Sequence, residues 1–519
     1  MREHEEDAMS DHEHDVSVGR QGTIETVSIG ETGAGRLKPG AIGLMGVIFV
    51  AVTGAAPISA MLFNVPFATG FGTGYYTPAA FLFAAIILTI FSIGYVAMAK
   101  EISAAGGFYS FISHGLGQAL GLATGICGVV AYALFEISLL GGFAYFFSTN
   151  FNSWFRWEIP WVLPAVIASI LITILCWFDV SLSVKILGVA LVAEIVILVL
   201  FDVLVFGQGG STTGIAYDSV DLTKLTNPGV GLAAGVGVFL AFWSWVGFEA
   251  IPNYAEESKD PRRNVVRATM IAVIGLGVGY VITAVAFESA FPKDQVVTAA
   301  QDPAGPFFVA MEAFGNHTLA TIMQVLILTG AFACAMAFHN VAMRYFYAMG
   351  REGILPKALG NTHNKHKVPH VANVTAMVVA VVIMLIWGVF SGFGFDKAFD
   401  TAYVRIYTMM AVQGVVWILL IQALCAAAII VYFRKNGRKG NVITTMICPI
   451  IAILGQVFAI FLLFQNIDTL AGTISYASAI GPIAVILIIV ALAYALILRS
   501  KNRAKFDTIG RVIDDTGNL

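Results

Sequence analysis

The sequence is short of charge and of paired cysteines, and each shortage excludes a class of protein. Charged residues make up only 12% of the 519 residues, whereas hydrophobic residues make up 58%. Soluble domains carry about 25% charged residues, so a soluble protein is excluded. The five cysteines lie in apolar segments without disulfide or metal spacing, and no basic, aromatic-rich stretch indicates a nucleic-acid partner. We therefore expect a membrane protein without a metal centre or another cofactor.

The N-terminus also lacks the apolar core of a signal peptide. Residues 1–38 are acidic and poor in large apolar residues, which is typical of a disordered cytoplasmic tail. Long apolar runs follow this tail, and about twelve of them reach the roughly 20 residues that cross a bilayer. These predicted spans are 41–68, 77–99, 118–148, 161–178, 184–206, 230–253, 266–291, 318–349, 371–390, 403–432, 446–464 and 474–498.

Lysine and arginine concentrate in every second connection between these spans and at both ends of the chain. Because basic loops stay in the cytoplasm, both termini are predicted to be cytoplasmic in a multi-pass protein of the cell membrane. Residues 499–519 then form a C-terminal cytoplasmic tail.

Two of the spans carry helix-breaking residues near their middle. The first contains Gly54 and Pro57 within "VTGAAPISAMLFNVP", and the sixth contains Gly247, followed by Pro252. An interrupted helix frees backbone N–H and C=O groups, which a membrane tolerates only where they line a cavity. Free N–H groups attract carboxylates, whereas free carbonyls attract ammonium groups or cations. The two breaks therefore predict a site for a small zwitterion.

The spacing of the breaks also predicts the organisation of the chain. They lie five spans apart, as expected for an inverted repeat of two five-helix halves. The halves are about 41–206 and 230–432, within a transporter core of 39–432, and 446–498 adds two further helices.

Three stretches together resemble one family, the amino acid–polyamine–organocation permeases. They are "KEISAAGGFYSFISHGLG", "FWSWVGFEAIPNYAEESKDPRRNVVRA" and "NVAMRYFYAMGREGILPKALGNTHNKHKVPHVAN". The resemblance implies an all-α, LeuT-like fold of twelve helices with a 5+5 inverted repeat and discontinuous helices 1 and 6. It also implies alternating-access movement of amino acids, amines or polyamines, often with protons.

The residues predicted to bind substrate surround the two breaks and one face of the third span. The substrate carboxylate is expected at N–H groups around Ala55–Ile58, and the ammonium at carbonyls around Phe242–Trp245. Trp245 is the first choice for an aromatic side chain that covers substrate, and the bulk of such aromatics favours a small or medium substrate. The full set is Thr53, Gly54, Ala55, Ala56, Pro57, Ile58, Tyr132, Glu136, Phe242, Trp243, Ser244, Trp245, Gly247 and Phe248.

Three ionisable residues within the spans are candidates for coupling. Glu194 falls where several members of the resembled family carry a lysine, at a place that sodium fills in related transporters. A buried glutamic acid favours its neutral form, so Glu194 can exchange a proton, coordinate a cation or simply bond neighbouring helices. Glu249 either titrates or caps N–H groups at the second break, and His339 is either a relay or a packing residue.

Four further expectations concern polar residues outside this set. Glu136 can face a substrate ammonium group or pair with another helix. Asp202 and Glu288 lie near helix ends and are expected to be solvated. Arg344 is expected to extend to the cytoplasmic edge.

The predicted function is import of an amino acid or small amine by alternating access, coupled to protons. The open alternatives are an exchanger, a sodium-coupled symporter and, in another class, a channel, for which no filter-like repeat is present. No hydrolase, zinc-protease or P-loop motif occurs, so neither enzymatic activity nor catalytic residues are expected. The expected partners are substrate, a proton and the lipid bilayer.

Overall fold

A computed structural model gives the fold of this chain. It describes residues 43–102, 107–178, 180–226, 232–301, 305–363, 366, 368–390, 398–435, 440–466, 479–507 and 509. The predicted N-terminal tail and most of the predicted C-terminal tail lie outside these ranges. Within them the protein is helical, with a single isolated β-bridge between Ser211 and Gly214.

Helices follow the predicted spans in order along the described chain. They are α1 (Leu44–Gly72), α2 (Thr77–Glu101), α3 (Gln118–Phe155), α4 (Val162–Cys176), α5 (Val180–Gly207), α6 (Ala234–Trp243 continued by Phe248–Glu257), α7 (Pro261–Ala290), α8 (His317–Arg351), α9 (His370–Phe390), α10 (Met409–Lys435), α11 (Cys448–Gln465) and α12 (Ile480–Lys501). In the described ranges, 10 helices are long and apolar enough to cross a membrane. The total of twelve spans stays a prediction, since α4 has only 15 residues. Following the predicted orientation, we call the side on which α1 ends the outer side.

Packing surrounds the broken helices with the others. α1 contacts α5, α7 and α8, α3 packs along α8, and α11 covers α2 and α6. The outward faces of the surrounding helices expose large apolar side chains such as Ile170, Val199 and Val378, which a bilayer solvates. All five cysteines are buried and unpaired, as the sequence indicates.

α1 is interrupted where its glycine and proline predict. The first half ends at Gly54, Ala56 has left-handed backbone (φ 43°, ψ 73°), and Pro57 starts the second half. Left-handed backbone cannot continue a right-handed helix, and proline is suited to the first turn because it has no N–H to leave unpaired. The second half contains two π-helical turns, Ala60–Asn64 and Ala68–Gly72.

α6 is interrupted at the matching depth. Its α-helical part ends at Trp243, and the chain turns through Gly247, whose φ is +123°. It resumes as a 3₁₀ helix at Phe248–Glu257, with Pro252 inside. The prediction of two discontinuous helices is therefore confirmed.

The two breaks touch each other through their backbones. A Cβ atom added at Gly247 would lie 2.6 Å from the carbonyl carbon of Gly54 and 2.8 Å from the nitrogen of Ala55. Only glycine leaves room for this approach. The contact brings the free ends of four half-helices to one point.

An ion pair holds loops together on the outer side. Lys293, just beyond α7, pairs with Asp218 in the loop between α5 and α6. The hydroxyl of Tyr75 donates to Asp218 at 2.5 Å, and the Lys293 ammonium lies 4.3 Å from the centre of the Tyr75 ring. We call these three residues the outer latch. The hydrogen bonds from Lys293 and then Tyr75 lower the pKa of Asp218 below its usual value.

Replacing Gly247 with alanine should separate the breaks. The new Cβ would overlap fixed backbone and occupy a positive φ, at a cost of about 1–3 kcal/mol of folding free energy. We expect lower thermal stability of the purified protein and lost transport. Gly54→Ala is the matched control, because its Cβ would meet Gly247 Cα at an ordinary 3.5 Å. The comparison rests on thermal stability, because Gly54 also lines the cavity; an equal loss of stability in both variants would contradict the clash predicted at Gly247.

The outer latch should weaken on acidification. A carboxyl whose folded-state pKa is lowered stabilises the fold above its unfolded pKa of about 3.9, and that contribution disappears as pH falls through the folded value. Because the pair is exposed, a double-mutant cycle of Asp218→Asn and Lys293→Met at pH 7 should give a coupling of only about 0.2–1 kcal/mol. Thermal unfolding measures it, and a coupling that persists unchanged at pH 2 would contradict this assignment.

Candidate functional site

A small cavity lined by buried residues lies directly at the contact between the two breaks. Its volume is about 30 Å³, which admits a water molecule or two but no amino acid. The lining residues are Gly54, Ala55, Ala56, Ser59, Ala60, Asn64, Phe135, Ser138, Leu139, Trp243, Ser244, Val246, Cys334, Phe338 and Tyr407. They come from α1, α3, α6, α8 and the π-helix Ala398–Thr408 that leads into α10. A substrate therefore requires this cavity to expand.

The polar groups of the lining are neutral. The amide of Asn64 donates to the Ser244 hydroxyl at 2.9 Å, and the Ser138 hydroxyl donates to the Tyr407 carbonyl at 2.6 Å. Ser59 is buried and its hydroxyl has no partner among the described residues. A buried hydroxyl without a partner is costly, so Ser59 is available to a ligand.

Carbonyls freed by the break in α1 accept bonds from neighbouring helices. The Tyr280 hydroxyl of α7 donates to the Ala55 carbonyl at 2.9 Å. The Cys334 thiol of α8 donates to the Gly54 carbonyl at 3.3 Å. The break is therefore held open by groups from other parts of the chain.

Aromatic rings stack on the outer side of the cavity. Trp243 lies 5.0 Å from Tyr407, centre to centre, and Tyr407 stacks on Phe63 at 4.5 Å. Tyr403 continues the stack at 5.4 Å from Tyr407. These rings separate the cavity from the outer surface.

The predicted substrate residues divide into two groups. Gly54, Ala55, Ala56, Trp243 and Ser244 line the cavity. The others are buried around the breaks but do not line it: Thr53, Pro57, Ile58, Tyr132, Glu136, Phe242, Trp245, Gly247 and Phe248.

Trp245 differs most from its predicted place. Its indole N–H donates to the Val273 carbonyl of α7 at 3.4 Å, and its ring packs against Tyr280 at 4.9 Å. The turn at the break swings this side chain away from the cavity, so Trp243 is the tryptophan that faces it.

Sequence reasoning missed several lining residues. Ser59 and Asn64 follow the break at near-helical spacing, so a helical projection of the second half of α1 could have found them. Phe135 and Ser138 follow the predicted Tyr132 along α3. Tyr407 has no local signal, because its place depends on the packing of α10.

Glu194 of α5 reaches the start of the second half of α1. The Ile58 N–H donates to one of its carboxyl oxygens at 3.4 Å. The other oxygen has no partner in the described chain, and the side chain is fully buried against Gly330 of α8. The carboxyl thus occupies an N–H group that the sequence assigned to substrate.

Glu249 bonds the second break with both oxygens. The Gly247 N–H donates to one oxygen at 2.9 Å, and the Tyr132 hydroxyl of α3 donates to the other at 3.0 Å. The Glu249 carbonyl accepts from Tyr95 at 2.8 Å. This geometry favours the capping interpretation, and it also explains why Tyr132 faces away from the cavity.

His339 and Glu136 form a buried pair beyond the cavity. His339 Nδ1 lies 2.8 Å from Glu136, and its Nε2 lies 2.6 Å from the Asn373 carbonyl oxygen. The Asn373 amide N–H donates to the Thr173 carbonyl at 3.1 Å, which fixes the orientation of that amide. Nε2 must therefore carry a proton, since an amide oxygen only accepts.

One further proton then lies between His339 and Glu136. Wherever it sits, the pair has no net charge, because an ionised Glu136 faces a charged His339 and a neutral Glu136 faces a neutral one. The pair lies among α3, α4, α8 and α9. Such a neutral unit favours packing over proton relay for His339, and pairing over substrate contact for Glu136.

Three other predictions from the sequence are wrong. Asp202 and Glu288, expected to be solvated, are only 8% and 1% exposed. Arg344, expected at the cytoplasmic edge, is 5% exposed. Partners on other helices, Thr283 for Asp202 and Thr69 for Glu288, accompany this burial, and distance from a helix end does not reveal it.

Comparisons with known proteins give the family and the fold. The amino acid permease family matches residues 42–492. The low-affinity putrescine importer PlaP of Escherichia coli is 24% identical over 348 residues, 65% of this chain and 72% of that protein. The branched-chain amino acid permease BcaP of Bacillus subtilis is 26% identical over 140 residues, and the match spans 26% of this chain but only 29% of that protein.

A solved structure gives the same fold. The crystal structure of a manganese transporter mutant from Eremococcus coleocola aligns with a TM-score of 0.59, covering 89% of this chain and 94% of that chain at 12% identity. At such a low identity, the likeness shows only the fold.

A helical membrane protein with two broken spans meeting at a small buried cavity is a multi-pass transporter of the LeuT-like fold. The match over residues 42–492 shows further that the chain belongs to the amino acid permease family.

Glu136→Gln should leave the His339 network intact, because the glutamine N–H can donate to the neutral histidine. Glu136→Ala should lower the free energy of unfolding by about 1–3 kcal/mol, since it leaves the histidine nitrogen buried and unpaired. Thermal unfolding measures both variants. If Glu136→Gln abolished pH-driven uptake but kept substrate exchange, the pair would be a relay instead.

Proposed function

We propose that this permease imports a neutral amino acid with an apolar side chain, together with a proton. The observation that carries this proposal is the cavity at the two breaks, with its uncharged polar groups and apolar wall. The same cavity supports the binding of a zwitterion, since helix N-termini favour its carboxylate and free carbonyls favour its ammonium.

The walls of the cavity favour a substrate with an apolar side chain. Phe135, Leu139 and Phe338 form an apolar surface opposite the backbone of α1. In the described part of the chain no carboxylate lines this cavity. A diamine would bury its second ammonium without a counter-charge, which is costly, so the lining opposes putrescine and suits a branched-chain or similar amino acid.

Binding requires movement of the gate. Trp243 and Tyr407 line the cavity on its outer side, and their rings are the bulkiest groups there. Their displacement would enlarge the cavity toward the outer side. Their return over a bound substrate would close it again, as alternating access demands.

Glu194 supplies a physical basis for proton coupling. Its carboxyl bonds the Ile58 N–H, at the same helix end that attracts the substrate carboxylate. Two anions at one helix end repel each other, so an ionised Glu194 weakens substrate binding and a protonated one relieves the repulsion. By linkage, substrate binding then favours protonation to the same degree.

Sodium fits this arrangement less well. The Ile58 N–H points at the Glu194 carboxyl, and a donor in that position repels a cation. The sodium-coupled alternative and the exchanger alternative are outcomes of the same experiment.

Uptake by purified protein in liposomes tests the proposal. We expect accumulation of leucine, isoleucine or valine when the outside is acidic, and none of putrescine. Glu194→Gln should keep counterflow of the same substrate but lose at least tenfold of the pH-driven accumulation. Glu312→Gln, at an exposed acid on the outer helix Pro306–Phe314, is the control. Accumulation driven by sodium and indifferent to pH would refute proton coupling.

A further inference from the structure

Two buried acids have no role in the site described above. Asp202 lies on α5 and Glu288 on α7, both on the outer side of Glu194. Neither takes part in an ion pair within the described ranges, although both are more than nine-tenths buried. An isolated buried carboxylate is unfavourable, so the presence of both acids needs an explanation.

Asp202, Glu288 and Glu194 each show the same pattern of hydrogen bonding. The Thr283 hydroxyl donates to one oxygen of Asp202 at 2.9 Å, and the Thr69 hydroxyl donates to one oxygen of Glu288 at 2.6 Å. The second oxygen of each carboxyl is buried and has no partner in the described residues. Each of the three acids therefore has one anchored oxygen and one oxygen open to a proton.

Helix geometry places the three carboxyls in order of depth. α5 and α7 pack against each other, and both run outward. Asp202 lies eight residues outward from Glu194 on α5, or roughly 12 Å at 1.5 Å per residue. Thr283, the partner of Asp202, lies five residues inward from Glu288 on α7, or roughly 7.5 Å. The order from outside is Glu288, Asp202, Glu194.

The neighbours of these acids are neutral. Tyr280 lies one turn inward from Thr283 and bonds the Ala55 carbonyl beside the first break. Near Glu194 the other titratable group is Cys334, whose thiol bonds the Gly54 carbonyl. Near Glu288 the charges of Asp218 and Lys293 are paired with each other in the outer latch. Within the described chain, no cation holds these carboxyls permanently ionised.

The outer loop covers the end of α7 next to the outermost acid. The Ser211 N–H donates to the Ser289 carbonyl at 2.7 Å, and the Ala216 N–H donates to the Ser289 hydroxyl at 3.0 Å. These bonds seal the end of α7 next to Glu288. Opening of the outer latch would expose the free oxygen of Glu288 to solvent.

We propose that Glu288 and Asp202 conduct the coupling proton from the outer surface to Glu194, which rests on the proposed proton coupling. A proton from outer water binds the free oxygen of Glu288. It passes through water to the free oxygen of Asp202 and then to that of Glu194. Each donor is left as a carboxylate until it is protonated again from its outer neighbour, so no other reactant is needed.

Asp202→Asn and Glu288→Gln test this route in liposomes, because both keep the shape and the acceptor oxygen for the threonine hydroxyl. Each should retain counterflow of substrate within twofold of the parent protein. Each should lose at least tenfold of the accumulation driven by an acidic outside. Asp202→Glu, which keeps a carboxyl, should recover coupling, and Glu312→Gln is the control for loss of an outer acid.

The outcomes separate this inference from the proposed function. If the parent protein is driven by pH and Glu194→Gln uncouples it, but both new variants accumulate substrate like the parent, the route is wrong and the coupling proposal stands. If the parent ignores pH, both proposals fall. Loss of counterflow in Asp202→Asn is judged by Thr283→Val, and loss in Glu288→Gln by Thr69→Val, because each perturbs the same contact but keeps the carboxyl and should stay coupled. Uncoupling by Thr283→Val would mean that packing, rather than proton transfer, explains the acids.

Discussion

The backbone contact between Gly54 and Gly247 is the constraint on which the rest of the structure depends. Both helices break where they meet, and a side chain at Gly247 would overlap the backbone of Gly54 and Ala55. The cavity lies at this contact, and the half-helix ends that face it supply its partial charges. A site built in this way uses the main chain for recognition and leaves the side chains to determine specificity.

Freed main-chain groups in a membrane must be satisfied by distant parts of the fold. Here Tyr280 and Cys334 bond the carbonyls of the first break, whereas Glu249 caps the N–H at the second. All three partners lie on helices of the second predicted repeat, about 230–432. Any movement of one broken helix against the rest therefore exchanges hydrogen bonds rather than only sliding apolar surfaces, which gives discrete states instead of a continuum.

The amino-acid sequence predicted the features that local chemistry determines. Composition revealed the membrane, and glycine and proline located both breaks. The direction of side chains near a break was harder to predict from the sequence. The α-helical part of α6 ends at Trp243, and Trp245 lies in the turn that follows, so helical spacing does not give its direction. Trp243 rather than Trp245 lines the cavity. Glu288 appeared solvated because its partner Thr69 lies 219 residues away, and no local pattern shows such a contact.

The sign of the charge at position 194 on α5 determines how protonation affects substrate binding. A lysine at the position of Glu194 would attract a substrate carboxylate at the same helix end, so protonation would assist binding by adding attraction. A glutamic acid acts in the opposite sense, because only loss of its charge removes the repulsion. Both arrangements link proton and substrate with the same sign, since a ligand shifts a conformational equilibrium only by its differential affinity for the two states. The glutamate adds one requirement: a buried carboxyl must receive its proton before substrate binds well. That requirement makes buried, unpaired carboxyls on the outer side of Glu194 physically coherent, where a lysine would have no use for them.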